Sequence, residues 1–264
     1  MQNNIQPIFQ THASLGKSLL TLDKEDDISG DSTVSIVALA KKYKLPEVTI
    51  LDDCFTLFIE AYKNLADITK LNYGINFQIC ADAKDLTDDS LKTQSKISVL
   101  MRNSDGYKDL IKLYSAAHTK ETFYYTGRLD WRILKEKWTD NLMLILPFYD
   151  SFIHKNLLQN GGCVPDFSDT RPILTYAKME LPFDEILEEN VRKYAQSTNF
   201  ELAEVHPVCY YAREDFKAFS VRKAISLRSS FDRPNKDYFC SDEFCWESYC
   251  EKVGVEFQKY ENQR

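Results

Sequence analysis

No apolar run in this 264-residue chain approaches the roughly 20 residues that cross a bilayer. The opening Met-Gln-Asn-Asn has neither the charged start nor the apolar stretch of a secretory leader. Both absences predict a soluble, cytoplasmic protein. No two of the seven cysteines (54, 80, 163, 209, 240, 245 and 250) have CxxC spacing, and the even gaps between Cys240, Cys245 and Cys250 fit no common zinc framework. Reduced, mostly buried thiols are expected. Positive charge is in deficit: 33 Lys and Arg stand against 40 Asp and Glu, for a net −7. A duplex-binding surface needs clustered cations to neutralise phosphates, so no tight direct nucleic-acid binding is expected, although a local basic patch is compatible with this balance. There is no GxSxG elbow. Gly16-Lys17-Ser18 looks like the tail of a phosphate-binding loop, but Thr11 stands where its first glycine belongs, which excludes that loop. Internal repeats and low-complexity tracts are also missing.

What is present is ample core: 44% of the residues are hydrophobic and 13% aromatic. Apolar residues recur with helical spacing over 33–45, opened by Asp31 or Ser32, and over 54–67, 105–117 and 214–227. A further helix follows Pro182. Strand-like runs occupy 47–51, 75–79, 98–101, 142–148 and 200–205, and the Gly- and Pro-bearing stretch 159–172 reads as a loop. Strands alternating with helices predict an α/β fold with parallel pairing, and about seven such units predict a barrel. Active sites of such barrels lie at the C-terminal ends of the strands.

Four histidines are available: 12, 118, 154 and 206. His12 and His206 fall near predicted strand ends, as do Asp52, Asp53, Asp82 and Cys209. His, Asp and Cys are the types that hold zinc or manganese. His118 ends a helix, where a histidine complements the dipole. His154 is expected as a solvated helix residue, with a place at the barrel mouth as the alternative.

Three segments carry a resemblance. They are the stretch from Ser98 to Leu113 with its Asn103-Ser-Asp-Gly-Tyr core, the stretch from Arg128 to Leu134, and Asn235 with Ser241-Asp-Glu-Phe244. In order and spacing, over roughly 7–250, they resemble the PHP (polymerase and histidinol phosphatase) domain at the N-terminus of bacterial DNA polymerase III alpha subunits. The polymerase portion is absent, and a free-standing domain suggests a phage or bacterial mobile-element origin. The resemblance implies a distorted seven-stranded (β/α)7 PHP-type barrel, here a single domain over 1–264 with a barrel core at about 7–230 and a C-terminal extension at about 231–264. It also implies a function: catalytic members hold up to three metals and hydrolyse phosphoesters, while others serve as docking and stabilising modules.

The family's ligand motifs map onto Gln10 and His12 for His-x-His, Asp52 and Asp53 for Asp-His, Asp82 for a glutamate, and His206, Pro207 and Cys209 for the last motif. Gln10 is a neutral, poor ligand, and Pro207 has no side-chain donor atom at all. The expectation is therefore no catalytic residue and no cofactor, with at most one weak ion at His12, Asp52 and Asp82. The alternative is a phosphoesterase or 3′–5′ exonuclease with a rearranged zinc or manganese site. Expected partners are replication proteins: a polymerase catalytic subunit, a proofreading exonuclease or a host factor. Phe244, Trp246 and Tyr249 are the candidate partner-binding residues, each equally suited to a core role.

Overall fold

The computed structural model describes residues 5–24, 34–229 and 240–259. Eight strands hydrogen-bond in the order β2-β1-β8-β7-β6-β4-β3-β5, with β2 also pairing β3. Seven strands thus form a closed mixed α/β barrel, and β5 is an extra strand on β3. By compactness the chain divides into two units: residues 1–73, 178–182 and 204–264, and residues 74–177 and 183–203.

In the first unit, β1 (Gln6–Phe9) lies parallel to β2 (Glu47–Asp52), with Phe9 opposite Ile50. It is also parallel to β8 (Leu202–Val208), with Phe9 opposite Val208. α1 (Ile36–Lys42) is capped by the Ser35 hydroxyl, which accepts from the Val37 N–H. The expected openers Asp31 and Ser32, and Asn235 of the resemblance, lie outside the described residues. α2 (Phe58–Leu65) begins after a turn at residues 53–57. A short 3-10 turn at Arg213–Asp215 leads into α8 (Phe216–Ser226), and α9 (Trp246–Val253) closes the unit.

The C-terminal stretch is built into this unit by its aromatics. Trp246, 1% exposed, stacks on Phe9 at 5.7 Å and meets Tyr43 and Tyr249 at 5.0 and 4.8 Å. Phe244 is buried as well. Of the two roles open to Phe244 and Trp246, these contacts give them the core one: an indole with aromatic faces on three sides gains more from the core than from water. Tyr249 is half-buried, near the His206 ring.

In the second unit, β3 (Lys70–Cys80), which starts in the first, pairs antiparallel with β4 (Ser95–Met101) across a link that holds the short α3 (Asp88–Lys92). β4 pairs antiparallel with β6 (Leu142–Leu146), while β6–β7 (Ile173–Tyr176) and β3–β5 (Arg128–Asp130) are parallel. The expectation of all-parallel pairing is thus corrected. The strands at 6–9, 128–130 and 173–176 are three or four residues long, too short to show a period. α4 (Ser104–Ala117), α5 (Trp131–Lys137), α6 (Phe152–Leu158) and α7 (Asp184–Thr198) complete the unit.

The motif residues that carried the resemblance here are scaffolding. Asn103 caps α4, its side chain accepting from the Gly106 N–H at 2.9 Å. A Cβ on Gly106 would stand 2.5 Å from the Asn141 carbonyl, so that position needs glycine. Asp130 caps α5 through the Ile133 N–H at 2.9 Å. Arg128, fully buried, donates to the Ser90 hydroxyl and to the carbonyls of Ala83 and Asp85. His118 caps α4 with Nδ1 2.8 Å from the Tyr114 carbonyl, as its helix-end position predicts. His154, expected to be solvated, is instead fully buried between Tyr149 and Phe183, with its Nδ1 accepting the Asp150 N–H at 3.2 Å. Two aromatic neighbours on α6's inner side explain the reversal.

Candidate functional site

The first turn after β1 and the end of β2 form one hydrogen-bonded knot. Asp52, with no exposed surface, is its hub. One carboxylate oxygen accepts the Thr11 backbone N–H at 2.8 Å and the Ser14 hydroxyl at 2.9 Å. The other accepts the Thr11 hydroxyl at 2.8 Å and, at 3.3 Å, the Tyr73 hydroxyl, whose one proton is shared with the Cys54 carbonyl at 3.2 Å. Burial raises the Asp52 pKa, and the Thr11 and Ser14 donors pull it part of the way back. Ser14 also receives the Asp53 N–H at 3.0 Å, which fastens the turn to both aspartates. Sequence reasoning missed Thr11, Ser14 and Tyr73. The available signal was two hydroxyls three residues apart just after a strand, a spacing suited to a turn that closes over a carboxylate.

Around this hub the remaining positions have other partners. Gln10 Nε2 donates to Asp53 at 3.4 Å, and Lys17 forms an ion pair with Asp53 at 2.6 Å. Lys17, considered above as the lysine of a phosphate loop, is therefore turned to a carboxylate. His12 has Nδ1 3.3 Å from the Leu20 carbonyl, and its own carbonyl accepts from Arg222 at 2.9 Å.

On β8, His206 is 1% exposed and its Nε2 faces the Cys245 carbonyl at 3.1 Å. A carbonyl only accepts, so this nitrogen carries the proton. Burial, with Lys252 nearby, lowers the His206 pKa to about 4, so the ring is neutral near pH 7. Pro207 pairs with Ile8 in the β1–β8 ladder. Cys209 is buried; its N–H donates to the Phe244 carbonyl and its carbonyl accepts from Leu19 and Ser18. Asp82 belongs to the second unit. It is exposed, accepts from the Lys84 N–H and pairs with Arg132 at 3.2 Å. The structure therefore joins Gln10 to Asp53 and ties Asp52 to the intervening Thr11. Among the described residues, no three His, Cys, Asp or Glu side chains are grouped to hold a metal ion. No helix among them is long and apolar enough to cross a membrane.

A closed mixed barrel with its candidate positions at or just after the ends of β1, β2 and β3 and in the last part of β8 defines a class, and the sequence comparison names it. Residues 27–199, about two thirds of the chain, match the PHP domain. The chain belongs to the PHP domain family, a superfamily of metal-dependent phosphoesterases. No curated protein matches the sequence. The matched region contains Asp52, Asp53 and Asp82; Gln10, His12, His206, Pro207 and Cys209 fall outside it.

Proposed function

We propose that this PHP domain is non-catalytic and acts through protein contacts in DNA replication. The observation that carries the reading is Asp52, whose two oxygens are filled by donors from Thr11, Ser14 and Tyr73. A cation at that carboxylate would have to displace buried hydroxyls, each costing about 1–3 kcal/mol when left unpaired. The chemistry of the other candidate positions argues the same way. Gln10 is neutral, Pro207 has no donor atom, and His206 spends Nε2 on a carbonyl. A hydrolytic centre needs several ligands and an open position for an activated water. These residues do not fit a two- or three-metal centre, so no catalytic step is assigned to them.

The replication context rests on the three segments that resemble polymerase III alpha. It makes a polymerase subunit, a proofreading exonuclease or a host factor the expected partner. The test is elemental analysis of the purified protein, with phosphatase and 3′-end exonuclease assays in added zinc or manganese. Sub-stoichiometric metal and no turnover above blank are expected. Hydrolysis that disappears in His12→Ala, a variant that removes only a carbonyl contact, would establish the family's phosphoesterase chemistry in its place.

A further inference from the structure

The structure points to the outer face of α8 as a docking surface, and we infer that its occupant is an acidic, apolar-bearing segment of a partner protein. This deepens the interaction reading above and rests on it.

The helix is anchored along its inner side. Phe219 and Ala224 are buried, and Phe219 packs on Tyr210 with ring centroids 4.9 Å apart. Arg222 donates to the His12 carbonyl at 2.9 Å. Gly16 lies so close to Ser226 that a Cβ there would stand 1.8 Å from its hydroxyl. The outer face is therefore presented by a fixed element.

That face is unlike an ordinary solvent face. Val221 is 36% exposed and Ile225 71%, one helical turn apart, and Leu227 follows at 39%. Lys217, one turn before Val221, and Arg228, just past the C-cap of α8 with a left-handed backbone, are exposed at the two ends of the helix. Neither cation pairs with a carboxylate among the described residues. From Phe216 to Ser229 there are four Lys or Arg and no Asp or Glu, in a chain whose net charge is −7; Lys217 and Arg228 are the exposed pair, and Glu214, three residues before Lys217, is itself paired with Lys259. A cationic stretch on an acidic protein attracts an acidic partner and orients it. The apolar pair between the two cations gives a packed centre inside a charged rim, the arrangement of a protein interface. A purely ionic ligand would leave Val221 and Ile225 without a role.

The experiment measures binding of a labelled amphipathic peptide of leucine and glutamate to the full chain, with a DNA oligonucleotide and phosphatidylserine vesicles as competing probes. The peptide is expected to bind in a salt-sensitive manner. Lys217→Glu with Arg228→Glu should weaken it by about tenfold or more, since each reversal turns an attraction into a repulsion. Ile225→Ser should weaken it severalfold. The same charge change placed on the second unit, Lys108→Glu with Lys193→Glu, should leave binding as in the wild type. Any of four results would overturn the assignment: no peptide binding, equal binding by the doubly reversed variant, indifference to Ile225→Ser, or preference for the oligonucleotide or vesicles. Self-association that the reversals abolish would make the occupant a second copy and overturn it too. Phosphoester hydrolysis would sink the non-catalytic reading while leaving these binding outcomes independent of it.

Discussion

Asp52 holds the turn after β1 to the end of β2 by accepting from several buried donors. Asp52→Ala strands the Thr11 and Ser14 hydroxyls and the Thr11 N–H in the interior. It should lower unfolding free energy by about 2–4 kcal/mol, as expected when several buried donors lose one acceptor. Tyr73→Phe removes the longest of the four bonds and should cost about 1 kcal/mol or less. Urea midpoints of the two variants check the order; equal losses would mean that Asp52 is not the hub. His206 gives a pH signature with the same sign as a stabilised carboxylate, shifted to a higher pH window. Its folded pKa of about 4 lies below the usual 6.5, so its contribution is complete above 6.5 and is lost as pH falls from there towards 4. The shift corresponds to about 3 kcal/mol. Denaturation midpoints of wild type should fall over that window, and His206→Gln should show a flatter profile there.

At the level of elements, alternation of helix and strand was legible because α4, α7 and β4 are long enough for their apolar positions to repeat. Pairing direction was not legible: nothing in the period of β3 or β4 distinguishes an antiparallel neighbour from a parallel one. Trp246 and His154 were misplaced or left open for one reason, that burial depends on aromatic neighbours distant in sequence, such as Phe9 for Trp246. The site was half legible. That Gln10 is a poor ligand and that Pro207 has no side-chain donor atom is visible in the residues themselves, whereas the Tyr73 contact joins positions 21 residues apart. The C-terminal segment shows the same dependence. Glu243, 5% exposed, pairs with Arg213 at 2.8 Å and Lys252 at 3.0 Å and accepts from the Ser248 hydroxyl. Burial pushes its carboxyl up, yet Ser248, Arg213 and Lys252 together hold it at about 2. Its stabilisation is therefore present above the usual 4.5 and lost as pH falls towards 2. Glu243→Ala should cost about 2–4 kcal/mol, because two cations lose their buried partner. Limited proteolysis should then cut first between residues 240 and 259. Unchanged stability would show that α9 is held by its aromatics alone.

Two features oppose each other across the molecule: an overall charge of −7 and a cationic α8. Which one governs encounters with DNA follows from counting phosphates. Each neutralised phosphate contributes about 0.9 to the slope of log affinity against log salt on a duplex. Only Lys217 and Arg228 stand exposed at the two ends of α8; Arg222 is held by the His12 carbonyl, and Lys223 is half-buried over the Phe219 ring. Two contacts give a slope near −2, well short of the roughly 6–10 contacts typical of salt-dependent specific binders. The surrounding carboxylates add repulsion that is screened beyond about 8 Å at physiological ionic strength, so they weaken approach without cancelling the local patch. Duplex binding should therefore be weaker than micromolar at about 0.15 M salt, and any binding seen at low salt should show a shallow slope and vanish in Lys217→Glu with Arg228→Glu. Anisotropy titrations of a labelled duplex over a salt series measure both quantities. Sub-micromolar affinity at about 0.15 M salt, or a slope steeper than about −4, would require a cationic surface larger than α8 provides.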